Sequence, residues 1–319
     1  MGILQRAQLI LNIGGWKYFL LKVEDKLTGS CKAAPYLDEY KKNVDVAQYP
    51  RMLKAMYKRS TGKDLDLDNP RSFNEKIQWM KLYDSTPIKT RLADKYLVRE
   101  WVTEKIGEEY LIPLLGVWDS FDEIDFDKLP QQFVLKCNHG SGANIIVKDK
   151  SKIDKPAMKE QFEKWMATDY SLLALELHYR NIPRKIIAES YIEQMDNNLL
   201  DYKIHVFNGE PKIIEIIGER DLVHHTAKEC FLTPEWRQKA LMYHTFDLYD
   251  VIPEKPRNID DMLRIASILG EGFPYVRVDL YNIEGKILFG EMTFTPRGGF
   301  GKWSGDEEYL VGSWIDLKK

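Results

Sequence analysis

Three features of the sequence predict an α+β protein with antiparallel sheets. From about Tyr36 to Glu109, apolar residues recur near helical spacing; beyond that, short runs rich in β-branched and aromatic residues take over. Asn208-Gly209 and Glu284-Gly285 each stand between two such runs, as two-residue turns suited to tight hairpins.

The elements follow in order. At the start, "ILQRAQLILNIGGWKYFLLKV" puts Trp16, Phe19, Leu20 and Val23 on one helical face, with Lys17 and Lys22 elsewhere. Arg6, Gln8, Asn12 and the two lysines interrupt it, so no span is long enough to cross a bilayer, and no small-residue cleavage site follows. Residues 3–23 suit either a peripheral membrane helix or an amphipathic helix packed on its own domain or a partner. Next, "NPRSFNEK" has helix-start chemistry, with Ser72 as N-cap and Glu75 three residues on; Phe73, Ile77, Met80 and Leu82 continue that helix. Strand-like runs then appear at "QFVLKC", "ANIIVKD", "RKIIAESYI", "DYKIHVFNG", "PKIIEIIGE", "YVRVDLYN" and "KILFGEMTF". Helical patterns separate some of them, over Lys155 to Tyr179 and Ile259 to Leu269. No internal repeat or low-complexity tract is present.

Composition excludes several functions. The 319 residues are 44% hydrophobic and 30% charged, enough for a large core in one large domain or two to three subdomains. A net charge of -3 without an arginine-rich tract gives no reason to expect nucleic acid as a partner. Cys31, Cys137 and Cys230 are too scattered for a disulfide framework or a zinc site, which points to a reducing compartment. His224 and His225 with Cys230 lack zinc-finger spacing, and no local signature supports a Ser-His-Asp or Cys-His arrangement. The aromatic run around Tyr170 and Tyr179 reads as helix packing.

The stretch "FVLKCNHGSGANIIVKDK" is more informative. A hairpin needs one glycine or an Asn-Gly pair, yet this turn has His139-Gly140-Ser141-Gly142 with Lys136 just before it. Such a turn frees backbone N–H groups to point at an anion, and a strand-end lysine adds a point charge beside them. A plain hairpin with a solvated lysine remains open. Neither a P-loop nor a GxGxxG turn is present.

Near the other end, "VRVDLYNIEGKILFGEMTFTP" places Arg277 and Asp279 on one side of a strand, and Glu291 and Thr293 on one side of the next. The Gly285 turn makes the strands antiparallel, so Asp279 and Glu291 converge. Two carboxylates that close call for a cation between them. Mg²⁺ shared with nucleotide phosphates meets that need, and so does a salt-bridge ladder with Arg277 and Lys286.

In this order, "NPRSFNEKIQWMKLYD", "ADKYLVREWV", "FVLKCNHGSG", "RKIIAESYIE", "DYKIHVFNGEP" and "VRVDLYNIEGKILFGEMTFTP" resemble the TupA-like branch of the ATP-grasp superfamily, linked to teichuronopeptide and other surface-polysaccharide synthesis. The resemblance runs from roughly residue 48 to the C-terminus. It implies a helical N-terminal region and two α+β subdomains enclosing ATP: residues 1–30 as an amphipathic segment, 31–115 as a mostly helical region, and 116–319 as the ATP-grasp domain, hinged near 189–193.

The resemblance also implies roles. Lys95 of "ADK" matches a lysine that touches the phosphates, and Lys136 a second one near the adenine and α-phosphate. Gly140, Ser141 and Gly142, with His139 at their start, match a flexible loop that closes over the β- and γ-phosphates. Glu189, Tyr191 and Ile192 match the hinge that receives the adenine edge, and Glu193 reaches for the ribose. Lys203 matches a phosphate-contacting basic residue and Arg277 the basic residue beside the reacting phosphoryl group, the expected catalytic pair. Asp279 and Glu291 match the magnesium ligands. Many relatives read Glu-x-Asn on the last strand; here it is Glu291-Met292-Thr293. A threonine hydroxyl is the weaker metal ligand, so the second metal site is the less secure.

The implied function is an ATP- and Mg²⁺-dependent carboxylate–amine ligase acting through an acylphosphate. Its partners would be a carboxylate-bearing saccharide, such as a hexuronic acid unit, and an amine. It would work in the cytoplasm, at the inner face of the membrane if residues 3–23 bind there. A kinase of a sugar hydroxyl would use the same site. A glycosyltransferase would commonly need a DxD between strands, and "DLDLD" at Asp64 to Asp68 lies before a helix. A non-catalytic nucleotide-binding scaffold would need neither both lysines nor both carboxylates.

Overall fold

The structure is a computed structural model that describes residues 2–192, 199–221, 224, 226–239, 246–303 and 305–317. Helices come first: α1 (Ile3–Thr28), α2 (Ala33–Asn43), α3 (Tyr49–Thr61), α4 (Phe73–Tyr83), α5 (Pro87–Ala93) and α6 (Val98–Lys105). α1 breaks at Gly15, whose φ of 73° is not helical. α4 begins at the expected capping box: the Glu75 N–H donates to Ser72 Oγ, and the Ser72 N–H donates back to Glu75 Oε2.

Two sheets follow. β1 (Leu114–Trp118), β2 (Phe133–Cys137), β3 (Asn144–Val147) and β4 (Ile186–Ser190) form a four-stranded sheet in the order β1-β4-β2-β3. Its apolar face carries Phe133, Leu135, Ile186 and Ala188, against Met158 and Phe162 of α7 (Lys155–Ala167). The second sheet has the order β10-β9-β5-β6-β7-β8, built from β5 (Asp201–Phe207), β6 (Glu210–Asp221), β7 (Thr226–Leu232), β8 (Asp247–Leu248), β9 (Tyr275–Ile283) and β10 (Lys286–Thr293). Only the β7–β8 pair among the described residues is parallel. Both predicted hairpins form, with left-handed backbone at Asn208-Gly209 and Glu284-Gly285.

The two faces of the second sheet differ. On one, Ile204, Val206, Ile214, Val276 and Val278 pack on α8 (Ile259–Gly270) through Met262, Ile265 and Leu269. On the other, Phe207, Ile213, Phe231 and Tyr275 at one end pack on α4 and α9 (Glu307–Ser313). The rest of that face is charged, because alternation continues through Asp201, Lys203 and His205 on β5 and through Arg277 and Asp279 on β9.

Two expectations change. The helix expected over Lys155 to Tyr179 ends at Ala167. Asp169 then accepts the Ser171 N–H to start a short 3-10 turn, and Leu175 is left-handed, so the aromatic segment winds back rather than continuing. β1, β7 and β8 were not singled out in the sequence; in β7, "TAKECFL", buried Glu229 interrupts the apolar signal.

Candidate functional site

Residues of both sheets line one cavity of about 380 Å³. Lys136 and the Gly140–Gly142 turn come from β2 and the β2–β3 connection; Asp201, Lys203, Asp279 and Glu291 come from the charged face of the second sheet; Lys95 comes from the α5–α6 link. Asp94 sets that link by accepting the Tyr96 and Leu97 N–H groups at the start of α6.

The acidic centre is set by register. β5, β9 and β10 place Lys203 opposite Asp279 and Asp279 opposite Glu291. Glu291 reaches this face only because β10 carries a bulge between Phe289 and Glu291. Phe289 and Met292 point into the core; if Gly290 were paired as a regular strand residue, with no bulge, alternation after Phe289 would turn Glu291 into the core as well. A Cβ at Gly290 would lie 3.0 Å from the Asp279 carbonyl oxygen, so the close approach of the strands calls for glycine.

Cations surround these acids. Arg277 grips Asp279 with two bonds, Nε to Oδ1 at 2.7 Å and Nη2 to Oδ2 at 2.8 Å. Lys203 Nζ lies 2.6 Å from Asp279 and 2.7 Å from Asp201. Lys95 Nζ lies 3.4 Å from Glu291, and Arg277 3.5 Å. Burial opposes the charge on Asp279, yet Arg277 and Lys203 outweigh it and hold the carboxyl below its usual range. Glu291 is held low in the same sense, against burial, chiefly by Lys95. Burial also opposes the charge on Lys203, and Asp201 with Asp279 override it and hold the ammonium above its usual range. Both carboxylates are therefore ionised, and the lysine protonated, at neutral pH.

The residues expected on the adenine side form a second cluster. Lys136 Nζ is 2.5 Å from Glu189 Oε2, and Arg99 Nη1 is 3.3 Å from Oε1 of the same buried carboxylate. Arg99 was not foreseen, and only its spacing after "ADK" could have signalled it.

The turn is built as a cradle. Gly140 and Gly142 both have φ of 78°, a conformation that disfavours a side chain. Lys95 Nζ donates to the Gly140 carbonyl at 2.5 Å, tying the turn to the acidic centre. The Tyr170 ring covers Gly140, whereas nothing lies within 4 Å of a Cβ placed at Gly142.

Several expected residues lie elsewhere. His139 is buried, with Nε2 3.3 Å from the Trp165 carbonyl at the end of α7, and it does not line the cavity. Tyr191 lines a separate surface cavity with Pro130 and Lys148, and Ile192 packs with Ile112 and Leu288. Arg277 and Thr293 stand behind the lining, the Thr293 hydroxyl accepting from Arg277 and donating to Glu291, both at 3.2 Å. His205, two residues beyond Lys203 on β5, is a core histidine that was not among the expected residues, 2.8 Å from the Tyr275 hydroxyl and 3.2 Å from Glu215. Glu193 and His225 lie outside the described residues.

One lining acid escaped the sequence reading. Asp201 is buried beside Lys203, and Arg220 lies 3.0 Å from its Oδ2. Its Oδ1 has no hydrogen-bond partner among the described residues. Burial pushes its carboxyl above the usual range, with Lys203 opposing. Its i, i+2 spacing from Lys203 was the available signal.

No group of three or more His, Cys, Asp or Glu among the described residues forms a metal cage. Mg²⁺ takes one or two protein carboxylates and completes its shell with water and phosphate. Asp279 and Glu291 fit it, with the orphaned Asp201 oxygen lining the same cavity.

A search of curated proteins finds no match. Among solved structures, the chain is similar to D-alanine–D-alanine ligase from Bacillus anthracis complexed with ATP, at 17% identity and a TM-score of 0.36 over 64% of this chain and 54% of that one. It is similar to the ATP-grasp ligase PsnB with a precursor variant, Mg and ADP, at 11% identity and a TM-score of 0.41, covering 75% and 65%. It is also similar to the D-cycloserine synthetase DcsG, at 17% identity and a TM-score of 0.37, covering 71% and 70%. The chain thus spans little more than half the length of the Bacillus anthracis ligase, and these likenesses do not carry the assignment. A family model does: the TupA-like ATP-grasp model matches residues 75–313, a span that holds the lysines, the glycine turn and both carboxylates described above. On that match the fold is the ATP-grasp fold, and the chain belongs to the TupA-like ATP-grasp family.

Proposed function

We propose that the protein is an ATP- and Mg²⁺-dependent carboxylate–amine ligase that attaches an amino acid or other amine to a carboxylate-bearing saccharide, such as a hexuronic acid unit. The observation that carries this reading is the cavity in which Lys95, Lys136 and Lys203 meet Asp279 and Glu291. In this reading residues 189–193 act as the hinge between the two halves of the ATP-grasp domain, 116–319, after the helical region 31–115 and the segment 1–30. The enzyme works in the cytoplasm, at the inner face of the membrane, with residues 3–23 in peripheral contact.

The chemistry follows from the charges. A carboxylate is a poor acyl donor because oxide would have to leave; taking a phosphoryl group from ATP turns that oxygen into part of a phosphate leaving group. The amine then attacks the carbonyl carbon and inorganic phosphate departs. Lys95, Lys136 and Lys203 bind and neutralise phosphate oxygens, and Arg277 keeps Asp279 ionised and aimed. Bound Mg²⁺, held by Asp279 and Glu291, would neutralise charge on the phosphates. The Gly140–Gly142 turn, drawn down on phosphate, excludes water from the acylphosphate.

A kinase would use the same residues and stop after one transfer. The test is product identity with ATP, Mg²⁺, a hexuronic acid saccharide and hydroxylamine in place of the amine. A ligase yields ADP, phosphate and a hydroxamate; a phosphomonoester without hydroxamate would establish the kinase instead.

A further inference from the structure

The N-terminal helices carry an apolar face and a cationic face that the ATP site does not use. Beyond the break at Gly15, the buried side of α1 bears Tyr18, while Trp16, Leu20, Val23 and Leu27 recur at i, i+4, i+7 and i+11 along the opposite side. Trp16 is 70% exposed, Leu20 60% and Leu27 79%, a stripe that no other described residue covers. Lys22 and Lys26 border this stripe on one side and Lys17 on the other; the nearby Glu24 is already paired with Lys32. Ahead of the break, Ile3 and Leu4 are also exposed.

Charge decides what meets this stripe. α3 packs along α1 and carries Arg51, Lys54, Lys58 and Arg59 with no acidic residue, in a chain whose net charge is -3. Arg51, Lys54 and Lys58 line a groove of about 400 Å³ between α1 and α3, and Arg6 and Arg59 line the one beside it. Asp64, paired with Lys58, is the acid on the rim of that groove. No described helix is long and apolar enough to cross a membrane.

We propose that α1 and α3 together form a peripheral docking surface for an anionic phospholipid bilayer. Trp16, Leu20, Val23 and Leu27 enter the interface, and the cations of α1 and α3 meet lipid phosphates. A second copy of the chain would bring one cationic face against another, which the charge pattern disfavours. The proposal deepens the reading above by naming the surface at which the enzyme works, and rests on it only for the purpose of the contact; binding itself needs no ATP.

The test uses the whole chain without nucleotide, sedimented with vesicles of phosphatidylcholine alone and of phosphatidylcholine mixed with phosphatidylglycerol. Binding to the mixed vesicles is expected, weakening as salt rises. Arg51→Ala, Lys54→Ala and Arg59→Ala, all exposed, should each lower the affinity about fivefold. Trp16→Ser with Leu20→Ser should abolish binding, with circular dichroism and nucleotide affinity unchanged. Equal affinity of the charge variants, or no binding to the mixed vesicles, would overturn the proposal. So would a dimer, seen by light scattering, that the Trp16→Ser and Leu20→Ser pair dissolves. A ligase reading that failed while vesicle binding persisted would leave this surface standing.

Discussion

Glu291 stands directly opposite Asp279 on the neighbouring strand because β10 inserts one extra residue, Gly290, just before it. That bulge turns an ordinary amphipathic strand into one that buries Phe289 and Met292 and still delivers a carboxylate to the cavity. The site depends on it as much as on the acids themselves.

Gly290→Ala should therefore act on metal use before it acts on folding. The added Cβ meets backbone, the Asp279 carbonyl at 3.0 Å, so β9 and β10 must separate slightly at the acid pair. A Mg²⁺ titration of ATP turnover should show a higher Mg²⁺ requirement, with a loss of stability of about 1 kcal/mol by urea unfolding. An unchanged Mg²⁺ requirement would detach the bulge from the proposed metal site.

The two acids should differ when neutralised. Glu291 is partly exposed, so Glu291→Gln should remove most Mg²⁺-dependent turnover at a stability cost of about 1 kcal/mol or less. Asp279 is the buried counterion of Arg277 and Lys203, so Asp279→Asn should cost about 3–5 kcal/mol besides abolishing turnover. Chemical denaturation of both variants checks the order; equal costs would contradict the charge network described.

Lys136→Ala should weaken ATP binding by about 1.5–3 kcal/mol, the worth of a charge-assisted contact. Glu189 keeps Arg99 as a counterion, so stability should change little. Calorimetric titration with ATP separates these effects, and wild-type affinity would leave Lys136 as an ion-pair residue only.

The two glycines of the turn should also separate. Gly142→Ala meets no neighbouring atom and suffers only left-handed strain, about 1–2 kcal/mol, yet it should slow turnover strongly if the turn closes on phosphate. Gly140→Ala places a Cβ 2.4 Å from the Tyr170 ring and should harm stability as well. Hydrogen exchange on 139–142 should fall when ATP and Mg²⁺ bind; equal protection in both states would make the turn a rigid hairpin.

Away from the cavity, Lys81 gives a pH signature. It is fully buried, donates to Gln78 Oε1 and the Gly298 carbonyl, and burial lowers its pKa from 10.5 to about 7. Between those values the unfolded chain holds a proton that the folded chain has released, so stability should rise as pH rises through that window and level off below about 7. Urea unfolding of wild type and Lys81→Met from pH 7 to 9 tests this, the difference between them growing in favour of wild type by the order of 1 kcal/mol per pH unit. A flat difference would mean that Lys81 stays charged.

Much of this was legible because local chemistry and tertiary structure agree. The Ser72–Glu75 box, the Asn208-Gly209 and Glu284-Gly285 turns, and the alternation of Arg277 with Asp279 each specify a conformation on their own. The convergence of Asp279 with Glu291 was also readable, but the reason for it was not, since a bulge at Gly290 leaves no pattern distinct from a strand glycine. Arg99 was hidden because its partner, Glu189, sits on another element, and Asp201 because Lys203, two residues on along the same strand, looked self-sufficient. His139 misled because a histidine beside a glycine turn resembles a ligand group, whereas the packing of α7 supplies the Trp165 carbonyl to it.

The central claim, that a substrate carboxylate takes the phosphoryl group before an amine displaces it, predicts where one oxygen atom goes. A hexuronic acid saccharide with heavy oxygen in its carboxylate, turned over with ATP, Mg²⁺ and an amine, should pass one labelled oxygen into the released phosphate, read by mass spectrometry. Unlabelled phosphate accompanying amide formation would contradict the acylphosphate route, and label retained in a phosphorylated sugar would contradict ligation altogether.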